Sequence, residues 1–366
     1  MILGILNESD KRVAVTPEVV PQLQGFGLEV VLEQGAGTAA GFPDSGYSDY
    51  GVRIISREEI LANADMIPTF NPLNDVEQNA CKDQAMLVSR YTPYDRVDEV
   101  ASWAKKQHFV YSLDMIPRIT VAQSADVLSS LASIAGYKAV LVATEYLQRY
   151  FPMLTTAAGS IPPCKVLILG AGVAGLQAVA TAKRLGAVVE AFDTRAAAKD
   201  EVMSLGAKFV EVEGATDDKA AGGYAVAQTD EYKIKQTEAI AKSVAKSDVI
   251  IATAQLRGKP APTLVTREMV ETMKPGSIII DLAAITGGNC ELSQNDQVIE
   301  HNGVTIIGDS DLSRRVSGHA SLLYGKNIMN FLRFMVKDDG KIVLCNNEHE
   351  VAEKSCIVNN GQKVYK

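Results

Sequence analysis

The chain has 366 residues, 47% of them apolar and 22% charged, with a formal net charge of -8. That length accommodates two domains with full cores, and the acidic balance argues against nucleic acid or an anionic membrane surface as the main partner. Four scattered histidines (His108, His301, His319, His349) and five cysteines (Cys81, Cys164, Cys290, Cys345, Cys356) show no metal-ligand spacing and no CxxC pair. No metal site is expected, and an odd cysteine count without a signal peptide fits a reducing cytoplasm.

Both halves of the chain alternate short β-branched runs with helical patterns, which predicts parallel α/β sheets. The first half reads as strands at ILGIL, EVVLE, VRIIS, DMIPTF, MLVSR and HFVYS, with helices between. Thr16-Pro17 predicts a helix start, with Thr as N-cap and Pro at the first helical position. Gly35-Ala36-Gly37-Thr38-Ala39-Ala40 formally fits GxGxxA. The GFPDSGY that follows it cannot start an amphipathic helix, so this segment reads as a loop.

After Pro117 a helical pattern covers roughly 121–150, and TTAAGSIPP reads as a loop. The second half runs KVLILG, VVEAFD, KFVEV, DVIIATA, SIIIDLA and VTIIG. The segment GATDDKAAGGYAVAQTD, carrying Gly223 and Tyr224, is too long and too rich in Gly and Ala for a simple connection; it reads either as a lid or as a surface loop. The last helix, ASLLYGKNIMNFLRFM, packs most economically on the first domain, and a polar tail with strand-like pieces follows. The expected architecture is two Rossmann-like domains with mainly parallel sheets, joined by long helices and with a cleft between them. The first domain is discontinuous, 1–128 plus 309–366, and the second is 129–308. The longest uncharged run, VLILGAGVAGLQAVATA, is broken by three glycines and a glutamine. It reads as a nucleotide loop rather than a membrane span, and no membrane insertion is expected.

KVLILGAGVAGLQAVATAKRLGAVVEAFDTR holds Gly170-Ala171-Gly172-Val173-Ala174-Gly175 between a strand and a helix. Asp193 follows 23 positions after Gly170 (193 − 170), at the end of the next strand. In a dinucleotide fingerprint Gly170 makes the tight turn and Gly172 lets the pyrophosphate approach the backbone. Gly175 lets helix and strand pack closely, and the helix N-terminus faces the phosphates. A lone GxGxxG is weak evidence, but here strand, helix and acid agree. Asp193 favours NAD over NADP, because a carboxylate accepts ribose hydroxyls and repels a 2′-phosphate. Arg195, next but one after it beyond Thr194, is the counter-argument, since an arginine there suits that phosphate; its bland reading is a solvated helix start. ATAQLRGKPAP and DLAAITGGNC fall on the carboxyl edge of a parallel sheet, where ligands of such sheets sit. Ala254 and Gln255 are therefore candidates near the nicotinamide or plain turn residues, and Gln236 is a further candidate contact.

The stretch PRITVAQSADVLSS places Arg118, Ile119, Thr120, Gln123, Asp126 and Ser129 at the entry of an apolar helix, with no histidine, lysine or cysteine. From spacing alone these are ordinary polar positions of a helix start. Taken with IAGYKAV, the fingerprint segment, AGGYA, GKPAPTLVTREMVETMKPGSIIIDLA and GGNC, however, the chain resembles the NAD(H)-binding component of the proton-translocating NAD(P) transhydrogenases, domain I of the alpha subunit. The similarity covers nearly the whole chain. It implies that Arg118, Asp126 and Ser129 contact NAD(H) and that Gln123 lies between the two nicotinamides. It also implies that Asp193 holds the adenosine ribose and that Tyr224 sits on a mobile loop closing over NAD(H). The family turn Ala-Leu-Ile-Pro-Gly is here Ala254-Gln255-Leu256-Arg257-Gly258, so the resemblance does not fix the exact contacts of that loop. The 338–366 tail resembles the region leading toward the next domain in alpha subunits that continue.

Alanine dehydrogenase, a relative with the same expected fold, keeps a keto-acid arginine that Arg12 matches, but transhydrogenases keep it too. Its lysine, catalytic histidine and aspartate fall at Pro68-Thr69-Phe70-Asn71-Pro72, Thr92 and Ile285, where all three chemical groups are missing. A single fingerprint implies a single dinucleotide. The resemblance therefore implies NADP(H) on a partner component, a membrane-spanning proton channel, a homodimer of this domain, and a peripheral place on the cytoplasmic side of the inner membrane. The alternatives are a stand-alone alanine-dehydrogenase-like oxidoreductase and a non-catalytic NAD-sensing module.

Overall fold

The computed structural model describes residues 1–104, 107–214, 229–337, 340, 342–343 and 348–365. The chain divides into two compact units, Met1–Leu131 with Arg314–Lys366, and Ala132–Ser313. The divisions fall inside a long helix and just before the last long one, a few residues beyond 128/129 and 308/309.

The first unit opens with β1 (Ile2–Ile5), β2 (Glu29–Glu33), β3 (Arg53–Ile55), β4 (Met66–Pro68), β5 (Met86–Ser89) and β6 (Phe109–Ser112). β1 lies between β2 and β4, parallel to both. Runs such as MLVS and MIP are buried along their whole length, as expected of strands covered on both faces. The helix after Thr16-Pro17 begins as a 3-10 turn, Pro17–Val19, before Val20–Gly25. Thr16 caps it through its backbone only, its carbonyl accepting from the Val19 N–H at 3.2 Å. The segment after Gly35-Ala36-Gly37 forms a 3-10 turn, Thr38–Ala40, and a five-residue helix, Asp44–Ser48. A short helix thus starts where a loop is expected, though too short to serve as a phosphate-binding helix.

The expected helix over 121–150 is two elements. Thr120–Ala125 is a 3-10 helix and Val127–Tyr146 an α-helix. The break is at Asp126, whose backbone is extended (φ -73, ψ 95). Its carboxylate accepts from the Ser129 N–H at 2.9 Å, which starts the helix afresh by capping it. Among the described residues, Val127–Tyr146 is the helix long and apolar enough to cross a membrane, with a mean hydropathy of 1.5 over a window that is 50% buried inside the protein.

In the second unit, TTAAGSIPP is not a plain loop. β7 (Leu154–Thr156) and β8 (Gly159–Ile161) form an antiparallel hairpin. β9 (Lys165–Leu169), β10 (Val188–Phe192), β11 (Lys208–Phe209), β12 (Val249–Ala252), β13 (Ile278–Asp281), β14 (Gln297–His301) and β15 (Val304–Gly308) form a sheet ordered β11-β10-β9-β12-β13-β15-β14. All neighbours are parallel except β14, which pairs antiparallel with β15. Alternate residues feed two cores. Val166, Ile168, Ile251 and Ile280 pack with the helices Val127–Tyr146 and Val173–Arg184. Leu167, Leu169, Ile250 and Ile279 pack with Asp230–Val244 and Arg267–Glu271. This period of two, with helices on both faces, makes an open α/β sheet. β9 lies between β10 and β12, so the chain reverses its direction of sheet growth there.

The chain then returns to the first unit with the helix Ser317–Arg333, β16 (Cys356–Asn359) and β17 (Gln362–Lys363). That sheet is completed in the order β17-β16-β6-β5-β4-β1-β2-β3, with β16 antiparallel to β6.

Candidate functional site

The loop after β9 stands where sheet growth reverses, the place where open α/β sheets bind ligands. Gly170 has φ +93, and a Cβ there would meet Thr253 Oγ1 at 2.8 Å. The turn is fastened from both sides. The Gly170 N–H donates to the Phe192 carbonyl at 2.8 Å, and the Gly170 carbonyl accepts from Thr253 Oγ1 at 2.9 Å. At Gly175 a Cβ would stand 1.9 Å from the Gly170 carbonyl oxygen, so only glycine lets the helix Val173–Arg184 start this close to the strand. Gly172 is different: a Cβ there would meet nothing within 4 Å. It is the N-cap and supplies no side-chain cap bond. The first turn thus faces an open approach with its dipole and backbone N–H groups, and an anionic group fits it. Val173 is exposed and Ala174 half-buried. Ala174 is held from behind, since Gly136 of the long helix abuts it, leaving only 2.0 Å between an added Cβ and the Ala174 carbonyl oxygen.

Asp193 follows β10 directly. Its Oδ2 accepts from the Ala171 N–H at 2.7 Å and from Arg195 Nη2 at 2.9 Å. Its Oδ1 accepts from the Arg195 N–H and Nε, each at 2.9 Å. Arg195 is therefore not a solvated helix start. It folds back on Asp193, and its Nη2 also donates to the Ala171 carbonyl at 3.0 Å. Thr194, between them, is half-buried. The fingerprint loop, Asp193 and Arg195 form one hydrogen-bonded group, with donors and acceptors suited to a dinucleotide's pyrophosphate and adenosine ribose.

Across the reversal point, Ala254 follows β12 and is clamped by a residue that no motif singles out. Asn289, fully buried, accepts from the Ala254 N–H at 2.9 Å and donates to the Ala254 and Pro262 carbonyls at 2.8 Å each. GGNC marks the segment, but nothing in the letters distinguishes this asparagine from a turn residue. Gln255 donates through Nε2 to the Leu282 carbonyl at 2.8 Å, so its amide ties two loops together. Gln236 is half-buried on Asp230–Val244. Gly223 and Tyr224 lie outside the described residues.

The remaining candidates belong to the first unit. Arg118, Thr120 and Gln123 are exposed and Ile119 is half-buried. They lie on or just before the 3-10 helix Thr120–Ala125, which is held by two residues of Ser317–Arg333. Asn327 Nδ2 and Asn330 Nδ2 donate to the Ser124 carbonyl at 2.8 and 3.1 Å. Sequence order hides this, because the bonded residues lie 203 and 206 positions apart. Asp126 and Ser129 are committed to each other, Ser129 Oγ donating to Asp126 Oδ2 at 2.6 Å. Asp126 serves as a helix cap, and the exposed polar groups of the stretch are Arg118 and Gln123 with the hydroxyls beside them.

The first unit also shows the surroundings of Phe70 and Thr92, two of the positions that the resemblance sets against alanine dehydrogenase. Phe70 stacks on Tyr324 with ring centroids 3.9 Å apart, and the Arg12 guanidinium carbon lies 4.4 Å from the Phe70 ring centre. Arg12 is itself 2% exposed and paired with Asp10 at 2.5 Å. Thr92 donates its N–H to Asp114 at 3.2 Å. In the second unit Ile285 is exposed.

The alanine dehydrogenase/PNT N-terminal domain matches residues 4–135, and the alanine dehydrogenase/PNT C-terminal domain matches residues 139–366. The chain is 43% identical over 364 residues to an NAD(P) transhydrogenase alpha-subunit polypeptide of Rhodospirillum rubrum, covering 97% of this chain and 95% of that protein. It is 29% identical over 312 residues to alanine dehydrogenase of Bacillus subtilis, covering 83% and 76% of the two chains. The crystal structure of a transhydrogenase from Sinorhizobium meliloti superposes with a TM-score of 0.91 at 40% identity, covering 100% of both chains. The chain therefore belongs to the alanine dehydrogenase/PNT family, and within it to the NAD(P) transhydrogenase alpha subunits.

Proposed function

We propose that this chain binds NAD(H) and presents it for direct hydride transfer to or from NADP(H) held on a partner component. The observation that carries this reading is the chemistry of three positions. Oxidising an amino acid moves a hydride and a proton, and needs a side chain to take the proton. Where alanine dehydrogenase keeps a lysine, a histidine and an aspartate, this chain has a stacked phenylalanine with its neighbours, Thr92 and Ile285. Transfer between two nicotinamide rings moves no heteroatom proton. It requires the rings about 3–3.5 Å apart and water excluded.

The bound dinucleotide supplies the hydride; the chain supplies its place. The fingerprint loop holds the pyrophosphate, and Asp193 takes the adenosine ribose. Asn289 fixes the Ala254 turn at the sheet edge. Arg118, Asp126 and Ser129 hold the nicotinamide half, and Gln123 orients a carboxamide or ribose without adding charge between two rings, one of which is always cationic. The partners in this reading are an NADP(H)-binding component, a membrane-spanning component that couples transfer to proton translocation, and a second copy of this chain. The place is the cytoplasmic side of the inner membrane, peripheral through those components.

The test is to mix the purified chain with a purified NADP(H)-binding transhydrogenase component and follow hydride transfer between nucleotide analogues. Transfer that needs both proteins is the expected result. Alanine-dependent NAD reduction by the chain alone would replace this reading with an amino-acid dehydrogenase, and nucleotide binding with neither activity would leave a sensing module.

A further inference from the structure

The Asp193 carboxylate is the group on which the adenosine-ribose assignment depends, yet it is already fully engaged. A carboxylate has about four lone-pair sites, and here four donors fill them: the Ala171 and Arg195 N–H groups, Arg195 Nε and Arg195 Nη2. The two backbone donors are fixed, Ala171 being fully buried in the fingerprint turn. The two guanidinium donors sit at the end of a long side chain that is 25% exposed while Asp193 is 9% exposed, so a change of rotamer would withdraw both from the carboxylate. A ribose diol that donates to this carboxylate must take the positions the guanidinium now holds.

We propose that Arg195 is an internal competitor for the ribose position, and that this competition sets how sharply the site separates NADH from NADPH. The inference rests on the NAD(H)-binding reading. Admitting the ribose costs two charged hydrogen bonds to Asp193 and the bond to the Ala171 carbonyl, so affinity for NADH is lower than a bare carboxylate would give. The displaced guanidinium remains on the same short turn, where its positive charge opposes the repulsion of Asp193 toward a 2′-phosphate. The two charges thus pull specificity in opposite directions from positions two residues apart. Arginine suits both roles, since its planar fork engages a carboxylate or a phosphate with two donors.

The experiment measures Kd for NADH and for NADPH on the full chain, in the wild type and in Arg195→Met, Arg195→Lys and Asp193→Ala. Methionine keeps much of the bulk and removes the donors and the charge. The expected result for Arg195→Met is NADH bound about tenfold tighter and NADPH about tenfold weaker, the scale of one charged hydrogen bond. Arg195→Lys keeps the charge without the fork, so NADH tightens while NADPH is largely retained. Asp193→Ala weakens NADH. If Arg195→Met weakens NADH while Asp193→Ala does too, Arg195 merely props up the carboxylate and the competition is refuted, the binding site itself standing. Unchanged affinities in both Arg195 variants refute it equally. If the wild type binds no NADH, or Asp193→Ala leaves its affinity untouched, the underlying assignment of the ribose site falls as well.

Discussion

In the proposed reading Gln123, exposed on the 3-10 helix Thr120–Ala125, offers the chemistry a neutral amide, and its worth depends on where that amide stands rather than on any proton it exchanges. Gln123→Asn keeps the amide and retracts it by one methylene, about 1.5 Å. A displacement of that size in a positioning group costs on the order of 10²-fold in rate. The expected outcome is a fall of that order in the single-turnover transfer rate with NADH Kd changed less than threefold; a comparable loss of NADH binding would refute the positioning role. Glu8 illustrates the opposite kind of residue, one whose charge state matters to the fold. Its carboxylate accepts the Phe70 N–H at 2.8 Å and the Asn71 N–H at 3.0 Å. Burial, opposed by these bonds, raises its pKa to about 7 from 4.5. A carboxyl with a raised pKa holds its proton more tightly in the folded state. Its contribution is fully present below pH 4.5 and is lost as pH rises through 7. Between about pH 5.5 and 8.5 this amounts to roughly 2 kcal/mol. Glu8→Gln should flatten that decline in urea-unfolding free energy; an equally steep decline in the variant would show that Glu8 does not cause it.

At the scale of elements, much is legible in the sequence and the exceptions have physical causes. Strands such as VIIA and IIID are covered on both faces, and continuous apolar runs of that length between turn residues have few other uses. β14 escapes such a reading because its residues are exposed or half-buried and its letters, QVIEH, do not alternate apolar with polar. The β7–β8 hairpin escapes it for the same reason. The break at Asp126 is invisible because the apolar pattern continues across it, and only the cap bond to Ser129 resets the helix. At the site, the glycine spacing foretells the turn after β9. No spacing foretells that the Arg195 guanidinium folds back onto Asp193, or that Asn289 clamps Ala254, since those depend on contacts rather than order. One tight contact can be tested directly. Gly136→Ala would set a methyl 2.0 Å from the Ala174 carbonyl oxygen. The clash should outweigh the roughly 1 kcal/mol that alanine adds in helix propensity, for a net loss of about 1–3 kcal/mol. Gly25→Ala is the control, because a Cβ there meets nothing within 4 Å. Equal urea midpoints for the two variants would mean that the Gly136 contact is not tight.

For the molecule as a whole, both units place their first strand between the second and fourth of their sheet, but only one carries a glycine turn leading straight into a helix at that point. In the second unit β9 leads into Gly170, Gly172 and Gly175. In the first unit β1 leads into Asn7-Glu8-Ser9-Asp10, which sets two carboxylates where a pyrophosphate would need N–H donors. Arg12 does not reverse this, since it is buried against Asp10 and Phe70. Those carboxylates would repel a pyrophosphate, and no glycine turn follows β1 to cradle one. In the proposed reading one chain binds one dinucleotide, and the second nicotinamide arrives on another polypeptide. Calorimetric titration should give one NADH per chain. With the NADP(H)-binding component added, NADH deuterated at C4 should pass its label to NADP⁺ without dilution in ordinary water, because a hydride passed from ring carbon to ring carbon never equilibrates with solvent. Label lost to water would mean that a side chain carries the hydrogen as a proton and that the geometric account of the site is wrong, and transfer by this chain without the second protein would mean that one chain holds both dinucleotides.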